Sequence, residues 1–320
     1  MSIKVFIDTS KFKGGPGIFR TRLIKAFKNF DNIKITTDIN NKFDIELVFI
    51  RKLNKLKKPY VLRLDNCWYI YKYKTYNNKP IEKTIRHSNH IIFQSQFAFK
   101  LCERTLRLRP DCPNGKNMKY SIIYNGADIH YIENIKPDKT IIPKSFVSCA
   151  RWDSNKRPIS IMNGFLEAGT DRHLYMIGGI GVEGKRKGYK SKSKYIHFLG
   201  EKTNKEIIAI MKACSYQIHL CHIDTCPNIV IEGLLSGLNV LCTNLGGTKE
   251  IVKSDGVILN VDKFWKGRYM KPRNVDNIKS KIVARGIHKL LKIKNKPIRP
   301  DLDIDIVAQK YINVIRGVQK

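Results

Sequence analysis

The feature that most constrains this chain is an alternation sustained along it. Short β-branched apolar runs are separated by segments whose apolar residues recur at helical spacing. A parallel sheet flanked by helices demands this pattern, because its strands are buried on both faces and each return crossing is a helix. In the first half, strands are predicted over 3–8, 44–50, 60–65, 90–95 and 120–124. A helix is predicted over 17–30, where Phe19, Leu23, Phe27 and Phe30 form a stripe beneath Arg20, Arg22, Lys25 and Lys28. Between 126 and 144 the periodicity lapses and Pro137 and Pro143 enter, which marks a linker. A second series then predicts strands over 145–150, 173–177, 195–199, 216–221, 239–243 and 256–260, with helices over 156–168, 204–213, 227–236 and 275–293. The expected organisation of the 320 residues is α/β, with one domain over 1–135, a second over 136–302 and a closing helix from 303 to 320.

Composition narrows the classes. A hydrophobic fraction of 42% excludes a disordered chain, and 60 Lys+Arg against 27 Asp+Glu leaves a formal charge of +33 at an ordinary charged fraction. The excess is one of sign. Such a field attracts nucleic acid, anionic membrane or phosphorylated small molecules, and charge alone does not choose among them. No apolar run approaches the roughly 18 residues of a membrane-spanning helix, and residues 1–8 alternate as a strand does, so an unexported cytoplasmic chain is expected. Its basic helices leave contact with a membrane surface open. Eight scattered cysteines read as reduced thiols. The tightest metal-like group is His219, Cys221, His222 and Cys226, but it lacks paired C-x-x-C spacing, and no metal is expected.

The chemistry concentrates in 217–252, which reads strand, loop, helix, strand, glycine loop, helix. Pro227 suits the first helical position, with Thr225 or Cys226 just ahead as cap, so the amides of Asn228 and its neighbours make an anion site. Glu232 is the one charge between 228 and 238. A shielded carboxylate needs a partner, either two hydroxyls of a sugar diol or a buried cation. Asp224 adds a second carboxylate near the same helix start. Gly246 and Gly247, followed by Glu250, permit either close backbone approach to a ligand or a tight turn. After the second domain's first strand, Arg151 and Lys156 flank a loop, with Arg157 following. This is either a diphosphate grip or a solvated loop. In the first domain, Gly14 and Gly15 lie between a strand and a helix, where amides meet phosphates. Gly179, Gly181 and Gly184 spell G-x-G-x-x-G, but a basic loop over 185–194 follows instead of a helix, so a dinucleotide reading is rejected. Asp301, Asp303 and Asp305 mimic a metal-binding DxD, yet open the final helix and read as caps.

Taken in order, these residues resemble the family 4 glycosyltransferases, whose GT-B architecture sets two Rossmann-like domains face to face. The match runs through Asp224, Glu232, Gly237 with Asn239 and Val240, and Gly246, Gly247 and Glu250. It continues in Arg151 and Lys156, in the Tyr124-Asn125-Gly126-Ala127-Asp128 run, in Phe198-Leu199-Gly200 and in Gly14-Gly15. The resemblance implies a retaining sugar transfer from a UDP- or GDP-sugar to a glycan or lipid-linked hydroxyl acceptor, with no bound metal, no cofactor and no specific nucleic acid. It implies that Glu232 binds the donor ribose and that Asp224, Cys226, Pro227 and Asn228 meet the donor sugar and phosphate. Arg151 and Lys156 would grip the diphosphate, Gly14 and Gly15 would lie against it, and Asp65 would stand beside the reacting sugar. Asn125, Gly246, Gly247 and Glu250 would support them. Two departures stand out: Asp224 replaces the usual Glu and reaches one methylene less far, and Asn66, Cys67 and Trp68 replace a frequent His after Asp65. The competing reading is a non-catalytic binding protein on the same scaffold, using basic runs at 52–58, 104–109 and 185–194 and the Tyr/Lys stretch 69–76 for nucleic acid or anionic membrane.

Overall fold

A computed structural model describes residues 2–10, 14–55, 57–70, 78–108, 118–179, 191, 193–270 and 275–319. Lys11 to Lys13, Cys112, Gly181, Gly184 and most of the basic loop 185–194 and of the Tyr/Lys stretch 69–76 lie outside the described residues. The chain forms two compact units: Met1–Asp128 with Trp265–Pro272 and Asp301–Lys320, and Ile129–Phe264 with Arg273–Pro300. No described helix is long and apolar enough to cross a membrane.

The first unit is built on a sheet of six parallel strands, β1 (Ile3–Phe6), β2 (Ile33–Thr36), β3 (Ile45–Phe49), β4 (Tyr60–Leu64), β5 (His90–Phe93) and β6 (Tyr120–Ile122). Their order is β2-β1-β3-β4-β5-β6. β2 escapes the sequence pattern because it is an edge strand whose Lys34 faces solvent, so its run is neither long nor continuously apolar. Helix α1 (Gly15–Phe27) buries Phe19, Leu23 and Phe27 as expected, and Arg20 with them, where it donates to the carbonyls of Asp8 and Thr9. Helices α2 (Lys79–Arg86) and α3 (Gln96–Leu106) follow, the latter capped by Ser95, whose hydroxyl accepts from the Ala98 amide at 3.0 Å.

The closing helix (Ile304–Gln319) does not stand apart. Ile304, Val307, Ala308, Tyr311, Ile312 and Ile315 share one buried cluster with Val5, Leu23, Phe27, Leu47 and Val61. A second stretch also returns to this unit. Met270 donates its amide to the Tyr69 carbonyl at 2.8 Å, and Trp265 stacks on Tyr69 with ring centroids 5.6 Å apart. The continuous second domain expected over 136–302 is therefore interrupted at Trp265–Pro272.

The second unit carries another sheet of six parallel strands: β7 (Phe146–Cys149), β8 (Leu174–Ile177), β9 (Ile196–Gly200), β10 (Tyr216–His219), β11 (Asn239–Thr243) and β12 (Gly256–Leu259), ordered β12-β11-β10-β7-β8-β9. Its helices are α4 (Ile129–Glu133), α5 (Pro158–Glu167), α6 (Asn204–Ala213), α7 (Asn228–Leu235), α8 (Thr248–Val252) and α9 (Ser280–Leu291). α4 falls inside the stretch expected to be a linker, where Ile132, Ile135 and Ile141 are buried. Neighbouring residues of β7 feed opposite faces, Phe146 joining Trp152, Phe165 and Ile287, and Val147 joining Tyr175, Met211 and Leu238. From β7 the chain moves outward through β8 and β9, then returns to lay β10 on the other side of β7. At such a reversal the loops leaving the two strands diverge, and the crevice outside their carboxyl ends receives ligands in open α/β sheets.

Candidate active site

The loops that leave β7 and β10 meet at that reversal. After β7, the Asp153 carboxylate accepts from the Lys156 amide at 3.1 Å and starts a 3-10 turn over Ser154–Lys156; Arg157, at φ 51°, turns the chain into α5. After β10, the chain runs through Cys221 and Asp224 to α7. Asn155 ties the two loops: its carbonyl accepts from the His222 amide at 2.8 Å and its side-chain amide donates to the Ile223 carbonyl at 3.3 Å. The Lys156 Nζ then lies 2.9 Å from Asp224 Oδ2 and 3.3 Å from Cys221 Sγ. His219 Nε2 lies 3.9 Å from the same carboxylate oxygen.

The electrostatics follow from that packing. Burial opposes the charge on Lys156, but Cys221 and Asp224 more than compensate and raise its pKa above the ordinary lysine value. Burial also opposes the charge on Asp224, yet Lys156, His219 and the Cys226 amide hold its carboxyl below the usual range. Burial, reinforced by the Lys156 charge, pushes His219 down to about 4, so its ring is neutral at pH 7. Burial pushes the Cys221 thiol up to about 11. The site thus presents a fixed ammonium against a fixed carboxylate, with a neutral imidazole and thiol beside them.

The glycine pair braces this corner. The Gly247 amide donates to the Asp224 carbonyl at 2.8 Å, and Gly246 sits at φ 116°, where a Cβ would come within 2.6 Å of that same carbonyl oxygen. The turn made by these glycines grips Asp224. Helix α7 begins after Pro227 with no side chain capping it. Glu232 is 3% exposed within α7 and accepts from Asn204 Nδ2, at the start of α6, at 3.0 Å. Glu250 lies in the first turn of α8, and Arg151 is exposed.

Sequence reasoning missed Asn204 and Asp262. Arg157 is buried and makes two hydrogen bonds to Asp262, at 2.8 and 2.6 Å, and His222 Nδ1 lies 2.9 Å from the same carboxylate. Burial opposes the charge on Asp262, but Arg157 and His222 hold its carboxyl down at about 2. Three cations within seven residues gave no sign of which one turns inward. The backbone decides it, since left-handed Arg157 sends its side chain to Asp262 while Lys156 goes to Asp224. The histidine-cysteine group is also redistributed: His222 belongs to Asp262, and Asp224 joins His219 and Cys221 in its place.

In the first unit, Asp65 is buried and ion-paired with Arg63, itself wholly buried. Arg63 donates to Asn125 Oδ1 at 2.5 Å, Gln94 Oε1 at 3.2 Å and the Tyr311 hydroxyl at 3.1 Å, with its guanidinium 4.4 Å from the Phe19 ring centre. Asp65 and Asn125 therefore share one buried network. Gly14, at φ 72°, precedes α1, which starts at Gly15 with no side-chain cap. Asp305 accepts from Asn29 at 3.0 and 3.1 Å, and Asp303 bridges Ala127 through its backbone, so the DxD-like pairs sit at the closing helix as expected.

Comparison with known proteins completes the picture of the second unit. Residues 146–297 match the family model described as glycosyl transferases group 1. Over those residues the second unit is similar to this family. The full chain also superposes on solved GT-B glycosyltransferases. Sucrose-phosphate synthase from Thermosynechococcus elongatus aligns at TM-score 0.68 and 11% identity, covering 99% of each chain. HepE from Anabaena, solved in complex with UDP, aligns at TM-score 0.60 and 14% identity, covering 99% of this chain and 100% of that one. A glycosyltransferase from Rickettsia africae aligns at 0.61 and 13%, covering 100% and 99%. No curated protein sequence matches the chain. The fold is GT-B, and the reversal carrying Lys156 and Asp224 lies within the residues that match the group 1 model.

Proposed function

We propose that this chain is a retaining glycosyltransferase that moves a sugar from a nucleotide-diphosphate sugar to a hydroxyl acceptor without a bound metal. The observation that carries the reading is the ammonium of Lys156, fixed 2.9 Å from Asp224 at the strand-order reversal, four residues ahead of an uncapped helix start. A departing diphosphate gains negative charge as the glycosidic bond breaks. A preorganised ammonium and helix amides stabilise that charge more than they stabilise the intact donor, which is the condition for catalysis. Arg151 adds a second, exposed cation to the same loop. Asp224 holds Lys156 in place and offers its remaining acceptor capacity to donor-sugar hydroxyls. Glu232, buried in α7 and accepting from Asn204 Nδ2, is proposed as the carboxylate that meets the ribose diol. The acceptor hydroxyl attacks from the face the diphosphate leaves, and its proton passes to a phosphate oxygen.

UDP complexes among the structural neighbours, including HepE with UDP-glucose, make UDP the first nucleotide to test. The experiment is a thermal-shift panel of UDP, GDP, ADP and their sugars, followed by kinetics on two variants. Glu232→Ala is expected to weaken donor binding by about 10- to 100-fold, the worth of a charge-assisted hydrogen bond. Lys156→Ala is expected to lower kcat by about 100-fold with a smaller change in KM. Wild-type turnover in both variants would remove the proposed site.

A further inference from the structure

We propose that His219, Cys221 and Asp224 form a latent site for a soft divalent cation of the zinc type, opened when the Lys156 ammonium withdraws. One donor atom from each of the three lies within 4.8 Å of the other two. A tetrahedral zinc with bonds of roughly 2.0–2.3 Å needs donors roughly 3.3–3.8 Å apart. His219 Nε2 and Asp224 Oδ2 are already 3.9 Å apart, close to that spacing, and no donor pair is separated by more than 4.8 Å. A nitrogen, a sulfur and an oxygen make a set that suits zinc and not magnesium or calcium, which take oxygen donors.

A second, independent observation points the same way. His219 is 5% exposed and its Nε2 has no hydrogen-bond partner, although it faces the cluster. A buried ring nitrogen left in this way costs free energy, and a metal bond is one of the few things that would satisfy it there. The corner is also built for positive charge, since the Lys156 Nζ now sits 3.3 Å from Cys221 Sγ and 2.9 Å from Asp224 Oδ2. The exchange balances simply. The Cys221 S–H bond breaks, its proton goes to solvent, a metal–thiolate bond forms, and Lys156 leaves still protonated. A fourth metal position stays open to water. If Lys156 serves the donor diphosphate, as proposed above, metal and donor exclude one another and the metal is an inhibitor; only this consequence rests on that reading.

The test is a cobalt titration of the full-length protein, because cobalt(II) reports a thiolate ligand through its near-ultraviolet charge-transfer band. One equivalent is expected to bind with release of one proton, and the band is expected to vanish in Cys221→Ser. His219→Gln is expected to weaken binding, and it reads the same coordination where Cys221→Ser does not fold by circular dichroism. Lys156→Ala is expected to bind cobalt more tightly by about tenfold, because the competing cation is gone. An adventitious surface site would be indifferent to that change. No thiolate band in wild type or in Lys156→Ala, a band that survives Cys221→Ser, or equal affinity in wild type and Lys156→Ala overturns the site. Saturating UDP is expected to displace the metal. If the band persists under UDP, the metal site stands and the diphosphate is removed from this corner.

Discussion

At the scale of single residues, Asp224 is held from two sides, by the Lys156 ammonium at its carboxylate and by Gly247 at its carbonyl. The second contact exists because Gly246 adopts φ 116°, a conformation that side-chain-bearing residues rarely adopt, with its missing Cβ 2.6 Å from the Asp224 oxygen. Gly246→Ala therefore carries a backbone penalty of about 1–3 kcal/mol before the steric contact is added. A lowered melting temperature together with a weakened donor affinity is the expected result, whereas Gly14→Ala, whose added Cβ meets nothing within 4 Å, is expected to cost strain alone. The Arg157–Asp262 pair gives a prediction in pH. Asp262 titrates at about 2 in the folded chain, below the roughly 3.9 of an unfolded aspartate. Its contribution is thus complete above about pH 4 and is lost as pH falls toward 2. Acid unfolding of Asp262→Asn is expected to show a shallower dependence over that window. The burial of Glu232 was legible in the sequence because it is the one charge in an apolar helix, and the place of Asp224 because it precedes that helix start. Asn204 and Asp262 were not, since each lies far along the chain from the residue it contacts, and their polar neighbours mask them.

At the scale of elements, the strands of both sheets are readable wherever they are central. There, burial on both faces forces the continuous apolar run that marks β3, β4, β7, β8 and β11. Edge position hides β2, and no local signal shows that Trp265–Pro272 returns to the first unit, because its contacts, among them a strand bridge, a stacked ring and an Arg268 hydrogen bond to the Thr105 carbonyl, are made with distant residues. Helix α6 illustrates how an element positions a side chain of the candidate site. Thr203 accepts from the Glu206 amide at 3.3 Å and Glu206 accepts from the Thr203 amide at 2.8 Å, a reciprocal cap that fixes the helix start and with it Asn204. Thr203→Ala is expected to cost about 1 kcal/mol of stability. Because Asn204 donates to Glu232, the same variant is expected to weaken donor binding several-fold with kcat held. A melt and a Kd measured on one preparation check both halves, and an unchanged Kd would mean that Asn204 is set by packing and not by the cap.

At the scale of the whole molecule, the formal charge of +33 is the property most easily misread. Long-range fields of this kind raise association rates with any polyanion, and they are screened over roughly 8–10 Å at physiological salt. The groups argued to meet the donor stand elsewhere in the balance of forces. Glu232 is buried, and Lys156 and Asp224 are each only 23% exposed at the side chain and already bonded to one another. Interactions among such groups are short-range and poorly screened. Donor affinity is therefore expected to change by less than about threefold between 50 and 500 mM salt. A protein whose main business was to neutralise nucleic-acid phosphates would lose on the order of 1,000-fold or more over a comparable rise, through counterion release. Measuring both titrations on the same protein separates the two uses of the charge. A steep loss of UDP-sugar affinity with salt would mean that the diphosphate is held by the exposed lysines and not at the strand-order reversal.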